Sequence, residues 1–87
     1  MNFDAAFVKE NGVEIGIFVT TMDVLNDKMQ ADNLITHCEE RILVGYHVVL
    51  VAQDSKSKPH YYGKQDLIRL LESINFSKIH FRRYTIP

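Results

Sequence analysis

The start of the chain carries the sequence pattern of a β-hairpin. Two runs rich in β-branched and aromatic residues, 3–10 and 13–21, flank the dipeptide Asn11-Gly12. This dipeptide is the strongest short-range signal for a two-residue turn, because both positions accept the positive φ angles that the turn requires. The turn fixes the pairing register and places Phe7 opposite Gly16. One face of the hairpin is apolar and the other also carries aromatic rings, so neither face is clearly a solvent face.

The spacing of apolar residues then changes to the three- and four-residue steps of a helix. The first stripe predicts a helix over about residues 23–42, broken near Asp27 and ended by Gly45; its members are Ala31, Leu34, Ile35, Cys38 and Ile42. The second stripe predicts a helix over residues 64–74; its members are Leu67, Ile68, Leu70, Leu71 and Ile74.

Three further segments have the composition of strands. Residues 46–53 are apolar at successive positions, which is typical of a central strand covered on both sides. Residues 60–62 follow Pro59 and suit a short edge strand, where proline is tolerated. Residues 78–86 are the last strand of the prediction.

The predicted order of elements is β-β-α-β-β-α-β within one domain, residues 1–87. Without the first strand, this is the split βαβ order of a ferredoxin-like fold. We therefore expect an α+β domain with an antiparallel sheet and an extra N-terminal hairpin strand. Right-handed crossovers would place both helices on one face of that sheet. A sheet with a different strand order is the alternative.

A sheet with helices on one side leaves its other face bare, and here that face would be apolar. A large exposed apolar patch with a polar rim usually marks an interface. The expected interface residues are Phe7, Phe18, Val49, Val51, His80, Arg82 and Tyr84. If the strand 46–53 faces the other way, Val48 and Leu50 replace the two valines. The alternative is that the first strand or residues 85–87 cover this face.

Composition excludes a disordered tail and a disulfide scaffold, because the hydrophobic share is 46% and the chain has one cysteine. The net charge of −1 gives no overall attraction to nucleic acid. It is the balance of −5 over residues 1–52 and +4 over residues 53–87. The positive half combines cations with aromatic rings, a pattern typical of nucleic-acid contact. That alternative site comprises Lys56, Lys58, His60, Tyr61, Tyr62, Lys64, Arg82 and Arg83.

Two analogies with known domain types find little support in the residues. The alternation of basic, glycine and aromatic residues that marks an RNA-recognition strand is missing from residues 45–52. A small-molecule regulatory domain of the ACT kind has the same order of elements. The segment Thr20–Asp23, however, lacks the glycine of that domain's ligand loop.

The candidate catalytic chemistry is sparse. No histidine has zinc-ligand spacing with another histidine or with Cys38, and the four glycines are too scattered for a phosphate-binding loop. Neighbouring residues of a helix point in different directions, so His37 and Cys38 do not form a catalytic pair. We expect no enzyme activity, no metal and no cofactor.

The sequence therefore predicts a small protein-interaction or regulatory module that associates with itself through the apolar face of its sheet. We expect a cytoplasmic location, because a lone thiol suits a reducing compartment and neither a signal peptide nor a long apolar run is present. The size fits a single-domain regulator of a bacterium or phage. The alternative is a nucleic-acid-binding protein that uses the basic and aromatic half of the chain.

Overall fold

The computed structural model of the chain describes residues 1–86. Its five strands are β1 (Asn2–Glu10), β2 (Val13–Val19), β3 (His47–Gln53), β4 (Pro59–Tyr62) and β5 (Arg82–Thr85). Its three α-helices are α1 (Met22–Leu25), α2 (Lys28–His37) and α3 (Gln65–Glu72). A π-helical turn, Cys38–Ile42, extends α2, and a 3₁₀ turn, Phe76–Lys78, follows α3. The predicted α+β class is confirmed.

The N-terminal hairpin has the predicted turn and the predicted register. Asn11 has φ 51° and Gly12 has φ 78°, which are the two positive values of a type I′ turn. Phe7 lies opposite Gly16, as expected. The prediction succeeds because a two-residue turn determines the pairing of its strands locally.

The sheet is mixed, and its strand order is β4-β3-β2-β1-β5. β2 and β3 are parallel neighbours, whereas a ferredoxin-like sheet would place β4 between them. β1 occupies the side of β2 where β5 would lie in that fold, so β5 pairs with β1 instead. The expected antiparallel, ferredoxin-like order is therefore not confirmed, because the hairpin takes one side of β2 and β3 takes the other.

The helices cover both faces of the sheet, so the expectation that they share one face is wrong. We call the side covered by α3 the α3 face; its core joins Leu67, Ile68 and Leu71 to Ile15, Ile17, Val49 and Val51. We call the opposite side the α2 face; its core joins Ala31, Cys38 and Leu43 to Phe18, Val48 and Leu50. The physical reason is that β3 is apolar at successive positions, and both of its faces are buried.

The long helix predicted over residues 23–42 is divided, with the break near Asp27 as expected. The side chain of Thr21 accepts the N–H of Val24 at 3.4 Å to begin α1. The side chain of Asp27 accepts the N–H of Gln30 at 3.2 Å to begin α2. Among residues 1–86, no helix has both the length and the apolar character needed to cross a membrane.

Candidate functional site

Four aromatic rings form a connected cluster on the α2 face, next to the β5 edge. We call Phe3, Phe7, Tyr46 and Tyr84 the aromatic patch. Phe7 contacts Tyr46 at a ring-centroid distance of 4.7 Å and Tyr84 at 5.7 Å. Phe3 stacks on Tyr84 at 5.5 Å. The patch is continuous with the core, because Phe3 also stacks on the buried Phe18 at 5.4 Å.

Phe7 is the most exposed member of the aromatic patch. Its exposed fraction is 41%, whereas the other three members are half-buried. Gly16, opposite Phe7 on β2, makes room for the neighbouring ring. A Cβ atom at Gly16 would lie 3.3 Å from Cβ of Tyr46 and 3.1 Å from Cδ1 of Leu43. A glycine at this position therefore lets the segment after the π-helical turn pack closely on the sheet.

β1 is longer than the strand that covers its outer side. β5 pairs only with Asn2–Ala5, and the last pair is Ala5 with Arg82. We call the outer side of Ala6–Glu10 the free edge, because no backbone hydrogen bond from another part of residues 1–86 reaches it. In a two-residue hairpin the pair next to the turn exchanges both hydrogen bonds, and the direction then alternates. The peptide groups of Phe7 and Lys9 therefore point outward along the free edge.

The free edge exists because the chain that leads from the 3₁₀ turn joins the sheet only at Arg82. Ile79 is buried in the core of the α3 face, and Phe81 packs against the same core. The side chains of Ile79 and Phe81 are thus anchored in the α3-face core, and the pairing of β5 with β1 begins only at Arg82. The last strand predicted over residues 78–86 is in consequence shortened to Arg82–Thr85.

The opposite edge of the sheet has no comparable gap at Val48. β4 pairs with β3 from Leu50 to Gln53. Beyond the last pair, the carboxylate of Glu39 accepts the N–H of Val48 at 3.2 Å. The π-helical turn brings Glu39 to this position and satisfies a peptide group that would otherwise lie open.

The predicted interface residues divide into a buried set and a set that reaches the surface. Phe18, Val49 and Val51 are at most 6% exposed, because helices cover both faces of the sheet. They belong to the core and are removed from the candidate surface. Phe7, Arg82 and Tyr84 lie together at the β5 edge, by their register on β1 and β5. His80 is exposed but precedes the strand.

The basic and aromatic residues of the alternative site do not form one surface. Lys56, Lys58, His60, Tyr61, Tyr62 and Lys64 lie on β4 or next to it, at one edge of the sheet. Arg82 and Arg83 lie on β5 at the other edge, and three strands separate the two groups. The strand order therefore places the two groups at opposite ends of the sheet, and their role in nucleic-acid binding stays a prediction.

Several of these polar side chains have partners within the fold. The guanidinium of Arg83 donates to both carboxylate oxygens of Asp4, at 2.9 and 3.2 Å. The hydroxyl of Tyr62 donates to Asp32 at 2.8 Å. These contacts join neighbouring elements, and they lower the pKa of both carboxyl groups from the ordinary value.

Asp54 organises the loop between β3 and β4. Its carboxylate contacts the ring of His60 at 2.9 Å and accepts the backbone N–H groups of Lys56 at 2.8 Å and Lys58 at 3.0 Å. The hydrogen bond with His60, followed by those with Lys58 and Lys56, lowers the pKa of Asp54 to about 2. Asp54 therefore has a structural task in this turn.

The residues with the greatest chemical reactivity are not assembled into a reactive centre. Burial raises the pKa of the Cys38 thiol to about 11, so little thiolate is present at neutral pH. Within residues 1–86, no group of three or more His, Cys, Asp or Glu side chains is placed to hold a metal ion.

Sequence reasoning missed two parts of the site, Tyr46 and the free edge. Gly16 was the available signal for the first, because a glycine within a strand often marks a close approach of another segment. No local signal predicted the free edge, since the length of the free edge depends on where β5 begins. Comparison with protein-family models, curated proteins and solved structures finds no match to this chain.

Proposed function

We propose that the protein is an interaction module that forms a homodimer by pairing the free edges of two β1 strands. The observation that carries this proposal is the unpaired segment Ala6–Glu10 beside the exposed ring of Phe7. Open strand edges bind other strands readily through their peptide groups. Two five-stranded sheets would then be joined into one continuous sheet.

The length of the free edge selects one register for this pairing. Antiparallel strands related by a two-fold axis use the whole segment Ala6–Glu10 only when the axis passes through its midpoint, Val8. Phe7 of one copy then lies opposite Lys9 of the second copy, and their outward peptide groups exchange hydrogen bonds. A shift of the axis to Lys9 would place two like charges opposite each other, which is unfavourable.

The aromatic patch adds an apolar component to the proposed contact. Phe7 and Lys9 share the α2 face, so the apolar stem of Lys9 from the second copy would cover the exposed part of the Phe7 ring. The ammonium group of Lys9 can remain in water at the rim. A contact of this kind is isologous, because the same residues contribute from both copies.

A cysteine at the proposed axis tests the register directly. Val8 faces its own equivalent in a pair that lacks hydrogen bonds, where the Cα atoms lie about 4.5 Å apart. We expect Val8→Cys to form an intermolecular disulfide under mild oxidation, because this distance suits the bond. Electrophoresis without reductant measures the product, and the buried Cys38 thiol does not compete.

The control for this experiment is Glu14→Cys, an exposed position on β2 away from the free edge. We expect this variant to stay monomeric under the same oxidation. Equal cross-linking of both variants would indicate random collision and would contradict the proposed register.

Phe7→Ser tests the aromatic component of the contact. We expect its dimer to be about tenfold weaker or more in sedimentation velocity, because a half-exposed aromatic ring loses its partner. The matched control is Met29→Ser, which removes an apolar side chain that is 74% exposed on α2. A wild-type protein that is monomeric at all accessible concentrations would refute the homodimer.

Nucleic-acid binding is the alternative and is not the favoured function. The cations that would carry it lie at two edges of the sheet, and Arg83 is paired with Asp4. Binding to an oligonucleotide pool that weakens steeply with salt would favour it over the homodimer. We further propose a cytoplasmic location, which suits the single buried thiol.

A further inference from the structure

A groove of about 720 Å³ opens where the parallel strands β2 and β3 end. Its lining includes Val19, Val51, the segment Thr20–Asp23 that follows β2, and the segment Gln53–Ser55 at the end of β3. Ligands of proteins with parallel strands bind preferentially outside the carboxyl ends of those strands. The volume lies within the range of small-molecule sites. The groove lies at the Asp4 end of β1, away from the free edge.

The groove has an apolar side with aromatic rings. Phe76 and Phe81 both line it, and their ring centroids lie 5.5 Å apart. Both rings are half-buried, with Val19 beside them at the rim of the α3-face core. Part of each ring therefore remains available to stack on a flat apolar group.

The charged residues that line the groove are carboxylates, and only one is unpaired within residues 1–86. Asp4 is held by Arg83, and Asp54 is held by His60 and two backbone N–H groups. Asp23 is exposed and has neither an ion pair nor a side-chain hydrogen bond with another described residue. No lysine or arginine lines the groove. The groove thus combines aromatic surface with one uncompensated negative charge.

We propose that this groove binds a small molecule that carries a protonated amine on an aromatic ring. The ring would pack between Phe76 and Phe81, whose planes are tilted by 43°, and the ammonium group would contact the carboxylate of Asp23. The hydroxyl groups of Thr20 and Ser55, which line the same groove, would contact polar substituents. This binding is independent of the proposed homodimer, because the groove and the free edge share no residue.

The probe is tyramine, and the matched control compound is 4-hydroxyphenylacetate, which carries the same ring with a negative charge. We expect tyramine to shift the amide resonances of Thr20–Asp23 and Gln53–Ser55 in an ¹⁵N-resolved NMR titration that saturates in the millimolar range. We expect the acid to produce no saturable shifts, because Asp23 repels it. Equal shifts with both compounds, or none with tyramine, would overturn the proposal.

Variants of the protein separate the two parts of the site. We expect Asp23→Asn to weaken tyramine binding about threefold, as the loss of a solvent-exposed ion pair predicts. Glu40→Gln, another exposed acid, serves as the control and should leave the affinity unchanged. We expect Phe81→Leu to weaken both tyramine and neutral phenol binding. The same spectra verify that each variant is folded, so unchanged tyramine affinity in Asp23→Asn would refute the role of the carboxylate.

Discussion

At the β4 edge of the sheet, a four-residue strand pairs with the end of β3, and Glu39 accepts the peptide N–H of Val48 beyond it. At the β5 edge, an equally short strand pairs with the start of β1, and Ala6–Glu10 has no backbone partner on its outer side within residues 1–86. The two edges differ in what lies beside the short strand. A π-helical turn supplies a carboxylate at one edge, whereas the chain at the other passes into the α3-face core.

The open edge is a consequence of packing. Ile79 and Phe81 are anchored in the α3-face core, so the chain before Arg82 is not available to extend β5. An edge that is left open in this way carries unpaired peptide groups, which are costly to bury but ready to bind another strand. The difference between the two edges is the reason why the proposed contact lies at the β5 edge of the sheet.

The largest expected effect comes from blocking the free edge. Lys9→Pro removes an outward N–H group, and proline is tolerated on an edge strand, so the hairpin should still fold. We expect the dimer to weaken by about 100-fold or more in sedimentation equilibrium. Lys9→Gln is the matched control, since it loses the same positive charge opposite Glu14 but keeps the N–H. Similar dimerisation by both variants would exclude pairing through the free edge.

A smaller effect is expected at the β4 edge. Glu39→Ala removes the acceptor of the Val48 N–H and should lower the free energy of unfolding by about 1 kcal/mol, as measured by urea denaturation. The oligomeric state should not change, because this edge is not part of the proposed contact. Glu40→Ala removes a neighbouring exposed acid and should have little effect. An unchanged stability of Glu39→Ala would mean that water replaces the carboxylate without cost.

The smallest effect concerns the loop that leads into β4, and it depends on pH. The folded-state pKa of Asp54 is about 2, below the ordinary value of 3.8, so its contribution is fully present above pH 3.8. That contribution is lost as the pH falls through about 2, because the carboxyl group then takes up a proton in both states. We expect Asp54→Asn to lower the Tm near neutral pH and to approach the wild-type Tm at about pH 2. A difference that is independent of pH would show that the charge of Asp54 is irrelevant.

The parts of the fold that could be predicted are the ones determined by nearby residues. Asn11-Gly12 determined the register of β1 and β2, and the apolar periodicity located the helices within a few residues. The strand order could not be predicted in the same way. It depends on which strand occupies each side of β2, and this is decided by packing between distant segments. The error in strand order also produced the wrong assignment of helices to one face.

The candidate site shows the same division between local and distant causes. Phe7, Arg82 and Tyr84 lie together next to the β5 edge, and their role in an interface stays a prediction. Val49 and Val51 were predicted on an open face of the sheet, whereas both faces of β3 are buried and apolar at successive positions. That pattern indicates cover on both sides, and helices on opposite faces satisfy it.

The pairing of β1 with β5 has a consequence for the order of folding. Asp4 and Arg83 are 79 positions apart in the chain, whereas β1 and β2 are joined by two residues. Contacts between distant segments form slowly, because a long loop must close before they stabilise the chain. We therefore expect the hairpin to form early and β5 to dock late. In that interval the whole outer side of β1 is unpaired, so a newly made chain at high concentration has a kinetic opportunity to pair with another chain before its own last strand arrives.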